Sequence, residues 1–242
     1  LQYLQNKKFA QQMEPIAGKF EVLRIRKEEW AMDGHMMLSL CGMGVPMGLQ
    51  YSITAIGSVI LQAAANTLGS AAVAAMTAGG RIVSFLACPY DAMGSTMATY
   101  GGQNVGAGKL ERIGKGLKSC VILGAVYSAM ALLLAVFFGD ALATLFVEKD
   151  EISIIGDVHK FLLLNTLFFF PLALVNIIRF LIQGMGFPKF AILAGVFEMV
   201  ARSAAGFGLV PFIGFTGVCL GSPFAWIMAD IFLIPAYFHV SK

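Results

Sequence analysis

Six ionisable residues sit inside otherwise apolar stretches: Arg81, Asp91, Arg179, Glu198, Arg202 and Asp230. Charge at membrane depth is expensive, so such residues face a cavity, a partner or a ligand. Three are acids and three are bases, which suits pairing. Glu198 and Arg202 are four apart with the acid first, the favoured helical order. They read either as a structural ion pair or as a protonatable, substrate-facing pair. Arg81 and Asp91 are separated by about 15 Å of helix, so each needs another helix or water. Asp91 follows Pro89-Tyr90, where a helix can open. Asp230 has no local counter-charge. Arg179 lies toward the end of its stretch and is expected to snorkel. Gln50, Gln62, Asn66, Asn165, Asn176 and Gln183 add hydrogen-bonding capacity, with bonding between helices expected. Gln50, Asp91, Asn176, Glu198, Arg202 and Asp230 form the candidate lining of a substrate or ion pathway.

Other chemistries find little support. His35, His159 and His239 lie near helix ends, without His-x-x-x-His or Glu-x-x-His spacing, so neither an intramembrane enzyme nor a metal site is expected. Cys41, Cys88, Cys120 and Cys219 form no Cys-x-x-Cys and read as small buried hydrophobes. The run Gly101-Gly102-Gln103-Asn104-Val105-Gly106-Ala107-Gly108-Lys109 misses a phosphate loop. Gln103 takes the first glycine position, Leu110 follows the lysine, and no strand precedes it. No cofactor is expected. A net charge of +3 is too weak to suggest a nucleic-acid partner.

The elements that must hold these residues are membrane helices. Of 242 residues, 58% are hydrophobic and 13% charged, too little charge to cover a soluble surface. The partner this composition demands is a lipid bilayer. Residues 36–80 contain no Asp, Glu, Lys or Arg, which suits two spans meeting at Asn66-Thr67-Leu68-Gly69-Ser70. An all-α bundle of six transmembrane helices follows, at about 37–66, 71–101, 116–147, 153–183, 189–211 and 217–239. Segment 104–118 carries Lys109, Arg112, Lys115 and Lys118 against Glu111. Segment 140–160 carries Asp140, Glu148, Asp150, Glu151 and Asp157 against Lys149 and Lys160. The positive-inside rule places the first loop in the cytoplasm and the second outside, with both chain termini inside. Residues 1–35 read as a mixed-charge cytoplasmic segment, with Trp30 as an interfacial anchor, and 36–242 as the membrane bundle.

Proline breaks recur at Pro46, Pro89, Pro171, Pro211, Pro223 and Pro235. Pro removes an amide donor and disturbs the preceding turn. In a bilayer such breaks survive where neighbours or water satisfy the freed carbonyls. So many in one bundle favour a protein that moves.

Certain motifs resemble a known family. Gly44-Val-Pro-Met-Gly-Leu-Gln50, then Asn66-Thr-Leu-Gly69, then Gly102-Gln-Asn-Val-Gly-Ala-Gly-Lys109 with Arg112 are similar to the seventh and eighth helices of MATE (multidrug and toxin extrusion) transporters. Gln183-Gly-Met-Gly186 with Pro188, Glu198 with Arg202, and Gly214 with Gly217 resemble the tenth to twelfth helices. The resemblance covers about 30–240. It implies a twelve-helix transporter of two six-helix lobes in the MOP superfamily, set in a bacterial inner membrane. Such proteins export cationic or amphiphilic compounds in exchange for H+ or Na+ by alternating access. The chain would then be the C-terminal lobe with an inter-lobe linker at 1–35, and Lys7-Lys8 would close an earlier span. Its partners would be the N-terminal lobe and a small-molecule substrate. Some members carry acidic cation ligands in this lobe on the seventh and tenth helices. The corresponding helices here offer Gln50 and Gln62, and Asn165 and Asn176 at depth with Asp157 only near the external end. A lipid-linked oligosaccharide flippase of the same superfamily is the alternative.

Overall fold

The computed structural model describes residues 33–148 and 150–241. The segment expected as a linker, 1–35, lies almost wholly outside the described residues, as do Trp30, Lys149 and Lys242. The chain forms two units, Leu1–Gly42 and Met43–Lys242. Of the first, the described part is Asp33 and the opening turns of a helix. The Asp33 carboxylate caps it, accepting the His35 amide at 2.9 Å.

The described elements are all helical. They run α1 (Gly34–Asn66), α2 (Ser70–Gly106), α3 (Leu110–Ala143), α4 (Ile152–Leu167), α5 (Phe169–Gly184) and α6 (Pro188–Ala204). A π segment (Ala205–Leu209), α7 (Val210–Ile213) and α8 (Phe215–Val240) complete them. Five stretches are long and apolar enough to cross a membrane: α1, α2, α3, α6 through α7, and α8. The pair α4–α5 meets the same test only when taken together, bent by 51° at the break. Counted as one span, the pair brings the described spans to the expected six, with different ends. The glycine-rich run was expected to leave the second span at 101, yet α2 continues to Gly106. The third helix starts at Leu110 and not at 116, because the charged turn with Glu111, Arg112 and Lys115 continues the helix beyond the apolar run. At the α2–α3 and α5–α6 turns, Gly108 (φ 66°) and Gly186 (φ 96°) take the left-handed backbone that side chains disfavour.

The sharp break is at Phe168. Pro171 lacks the amide that would return a bond to Leu167, and the chain restarts as α5. A second irregularity escaped the sequence. Pro211 cannot bond back to Phe207, and the preceding turn widens so that the Val210 amide reaches the Ala205 carbonyl, a π register. By contrast, Pro46, Pro89, Pro223 and Pro235 remain inside continuous helices.

In the second unit α2 packs on α3, α4 and α5, and α8 packs on α4, α5 and α6. Tyr90 of α2 is fully buried. Its ring meets Tyr127 and Phe169 edge-on at 5.2 and 5.6 Å. Its hydroxyl lies 2.8 Å from that of Ser128. The outer face of α3 exposes Leu123, Met130, Leu133 and Phe137, a surface suited to lipid and not to water. Cys120 and Cys219 are buried as expected, but Cys41 and Cys88 are exposed. For Cys88 the reason is register: it stands on the face of α2 opposite the buried Leu86 and Tyr90, so apolar neighbours in sequence did not bury it.

Candidate functional site

Two polar features stand out, one on the surface and one inside. The surface feature is a single face of α2. Thr77, Arg81, Ser84, Cys88, Asp91, Ser95, Thr99 and Gln103 are all exposed. Their steps of three and four keep them on one side of the helix over about 39 Å, longer than the hydrocarbon core. The hydroxyls of Thr77, Ser95 and Thr99 donate to carbonyls one turn back, at 2.7, 2.9 and 3.1 Å, a bond that also tolerates lipid. Arg81, Asp91 and Gln103 decide the matter, because their side chains make no hydrogen bond among the described residues. A guanidinium and a carboxylate cannot be left facing acyl chains. This face of α2 is therefore better suited to water or a second polar surface than to acyl chains. The helix passes unbroken through Pro89, so Asp91 reaches that surface by its register and not through an opening.

The internal feature joins three helices. Arg179 of α5, Glu198 and Arg202 of α6 are 6, 2 and 6% exposed. The Arg179 guanidinium donates to Oε1 of Glu198. Arg202 donates to Oε2 of the same carboxylate at 3.3 Å, the i,i+4 pair expected from spacing. Arg202 also reaches the backbone carbonyl of Thr54 in α1 at 3.5 Å. Arg179 does not snorkel as expected. It points inward, where Glu198 supplies the counter-charge that lipid headgroups would otherwise provide.

One turn further along α5, Gln183 donates to the Oε1 of Gln50 at 2.6 Å, tying α5 to α1. Glycines make the α1–α6 approach possible. A Cβ on Gly57 would lie 3.0 Å from the Met199 backbone, and one on Gly195 would meet Gln50 at 3.4 Å. Asp230 of α8 is buried, with Arg179 the charge acting on it, and its Oδ1 has no protein partner among the described residues. Asn176 is buried but bonds back to Leu172 of its own helix at 3.1 Å, not to a neighbour. Asn165 reaches the Cys219 carbonyl at 3.4 Å, and Gln62 bonds to Asn66 of its own helix.

The structure thus separates the six candidate residues. Gln50, Glu198 and Arg202 gather in the α1–α5–α6 network. Asp230 lies within electrostatic reach of that network through Arg179, and Asn176 sits on the same helix as Arg179. Asp91 stands apart on the α2 face. The network and the face also contain residues outside the candidate set, Arg179, Gln183, Arg81 and the α2 hydroxyls. The spacing of those hydroxyls was visible in the sequence, a polar stripe on an apolar helix.

The described residues thus form a membrane bundle with one charged helix face turned outward and an ion-paired core. Residues 46–207 match the MatE family model, and the chain belongs to that family. It is 21% identical over 134 residues to "Probable multidrug resistance protein YoeA" of Bacillus subtilis (strain 168), an alignment covering 55% of this chain and 28% of that protein. Its fold is similar to the crystal structure of the Vibrio cholerae MATE transporter VcmN in the bent form, with TM-score 0.83 and 17% identity over 94% of this chain and 52% of that one. It is also similar to a MOP superfamily transporter from Pyrococcus furiosus, with TM-score 0.79 and 17% identity over 90% of this chain and 50% of the other. The chain spans about half the length of these solved transporters.

Proposed function

We propose that this chain is the C-terminal lobe of a secondary active antiporter. It exports cationic or amphiphilic drugs and toxins in exchange for H+ or Na+ by alternating access. The observation that carries this reading is the exposed face of α2. A row of hydroxyls with one carboxylate, Asp91, near mid-helix is a wall for a water-filled cavity, completed by the N-terminal lobe. Asp91 offers that cavity a negative charge for a cationic substrate. The internal residues Gln50, Glu198, Arg202 and Asp230, with Asn176 beside Arg179, govern how α1 closes on α5 and α6. The charge bias of the loops supports a plasma-membrane orientation with both ends of this chain in the cytoplasm.

Efflux of a cationic dye from cells expressing the full-length transporter tests the reading. Neutralising Asp91, Glu198, Arg202 and Asp230 one at a time should impair export in at least one variant. Wild-type efflux from all four would overturn it. A flippase for lipid-linked oligosaccharides needs a strongly cationic cavity to hold a pyrophosphate. The α2 face carries one cation, Arg81, which favours drug export.

A further inference from the structure

One stripe of α3 changes character along its length. Arg112, Lys115, Ser119, Leu123, Val126 and Met130 follow one another in steps of three and four, so they share one side of the helix. All six are exposed, and the buried Ile113, Cys120, Gly124 and Ser128 take the other side. From Ser119 to Met130 the stripe runs about 16 Å, close to half the hydrocarbon core. The Ser119 hydroxyl donates to the Lys115 carbonyl at 3.1 Å, so it needs nothing from outside the helix. Arg112 and Lys115 belong to no ion pair among the described residues. Side chains on a helix lean toward its N-terminus, which carries both cations away from the apolar part and toward the lipid phosphates. Lys109 and Lys118 add positive charge at this end, against Glu111. The far end of the stripe has no such pair of cations. Beyond Phe137 it reaches Asp140, which is bonded to His159 at 2.6 Å.

We propose that this face of α3 is a binding site for an anionic phospholipid. Arg112 and Lys115 hold its phosphate, and an acyl chain lies along Leu123, Val126 and Met130. The register assigns the site. Cations in a loop would serve to orient the chain, but these two stand on the same stripe as the residues that meet lipid. Arg112 offers a fork of donors to a phosphodiester, and Lys115 offers a second positive charge. A zwitterionic phospholipid brings its own ammonium to these cations and gains less from them. A free phosphate would use the cations and leave the apolar part of the stripe without a role. The site depends on the bundle lying in a membrane and not on the drug-export reading.

The test uses the full-length transporter in phosphatidylcholine nanodiscs with a trace of photoactivatable lipid. The probes are phosphatidylglycerol and phosphatidylcholine with the same diazirine in the acyl chain, and adducts are located by peptide mass mapping. The α3 peptide around Leu123 and Val126 should take about fivefold more of the phosphatidylglycerol probe. Arg112→Gln with Lys115→Gln should lower that labelling to the phosphatidylcholine level and leave phosphatidylcholine labelling unchanged. Arg112→Lys with Lys115→Arg should keep most of the preference. Lys189→Gln is the control for general surface charge. Lys189 is exposed at the start of α6, at the same end of the bundle, where Glu111 and Met185 line a common cavity. Its replacement should leave the preference intact. Equal labelling of the intact protein by the two probes, or a comparable loss in Lys189→Gln, overturns the proposal. So does an absence of lipid adducts on α3, which would mean that protein covers this face.

Discussion

Arg179 and Arg202 hold the same carboxylate from two different helices. Each takes one oxygen of Glu198, and all three side chains are buried. One acid between two bases makes Glu198 the member that cannot be removed alone.

Glu198→Gln should leave two guanidinium groups facing each other with only the more distant Asp230 as counter-charge. Breaking a buried pair from one side costs about 3–5 kcal/mol. The melting temperature of the purified full-length transporter should fall clearly. Adding Arg179→Met should recover part of the loss, because it removes the stranded charge. An unchanged melting temperature in the single variant would show that the network contributes nothing to folding.

The sequence made the architecture legible and the pairing only partly so. Six apolar runs gave six spans, since hydrocarbon leaves the backbone few alternatives to helix. The Glu198–Arg202 pair followed from spacing. Arg179 did not, because a residue near a span end is ambiguous until the neighbouring helix is placed. The π segment was hidden for a related reason: Gly206 and Gly208 are compatible with ordinary helix, and only Pro211 hints at a displaced bond. The break at Phe168 was foreshadowed by Pro171, three residues later. Asp91 was singled out for its charge, whereas its neighbours Ser84, Ser95 and Thr99 matter through their register.

Gly184→Ala should drive α5 from α2. A Cβ there would clash with the Ala98 carbonyl oxygen, which belongs to rigid helix backbone. Overpacking of this kind costs about 1–3 kcal/mol. Gly80→Ala, where nothing lies within 4 Å, is the matched control. Thermal unfolding of both variants should separate them, with Gly184→Ala alone losing stability.

Native cysteines report on the α2 face. Cys88 lies in the exposed row, while Cys120 and Cys219 are buried. In the full-length transporter a hydrophilic maleimide should modify Cys88 within minutes and spare Cys120 and Cys219, as read by peptide mass mapping. Protection of Cys88 to the same degree as Cys219 would mean that this face meets lipid or packed protein.

Asp91→Asn should act on transport without acting on the fold. The side chain is exposed and makes no hydrogen bond among the described residues, so its replacement should leave the melting temperature within about 1 °C, the range of surface changes. Efflux of a cationic dye should nevertheless drop several-fold. A large loss of stability with unchanged efflux in surviving protein would assign Asp91 a packing role instead.

The bonds that fix α1 have a bearing on how the bundle is made. Gln50 finds Gln183 across 133 residues of sequence, and Thr54 receives Arg202 across 148. A ribosome releases α1 long before it has synthesised either partner. During that interval the helix has its apolar run to hold it in the bilayer and none of these long-range polar contacts. The first of the described spans to be made is therefore among the last to be secured, and α5 and α6 must be in place before it can dock.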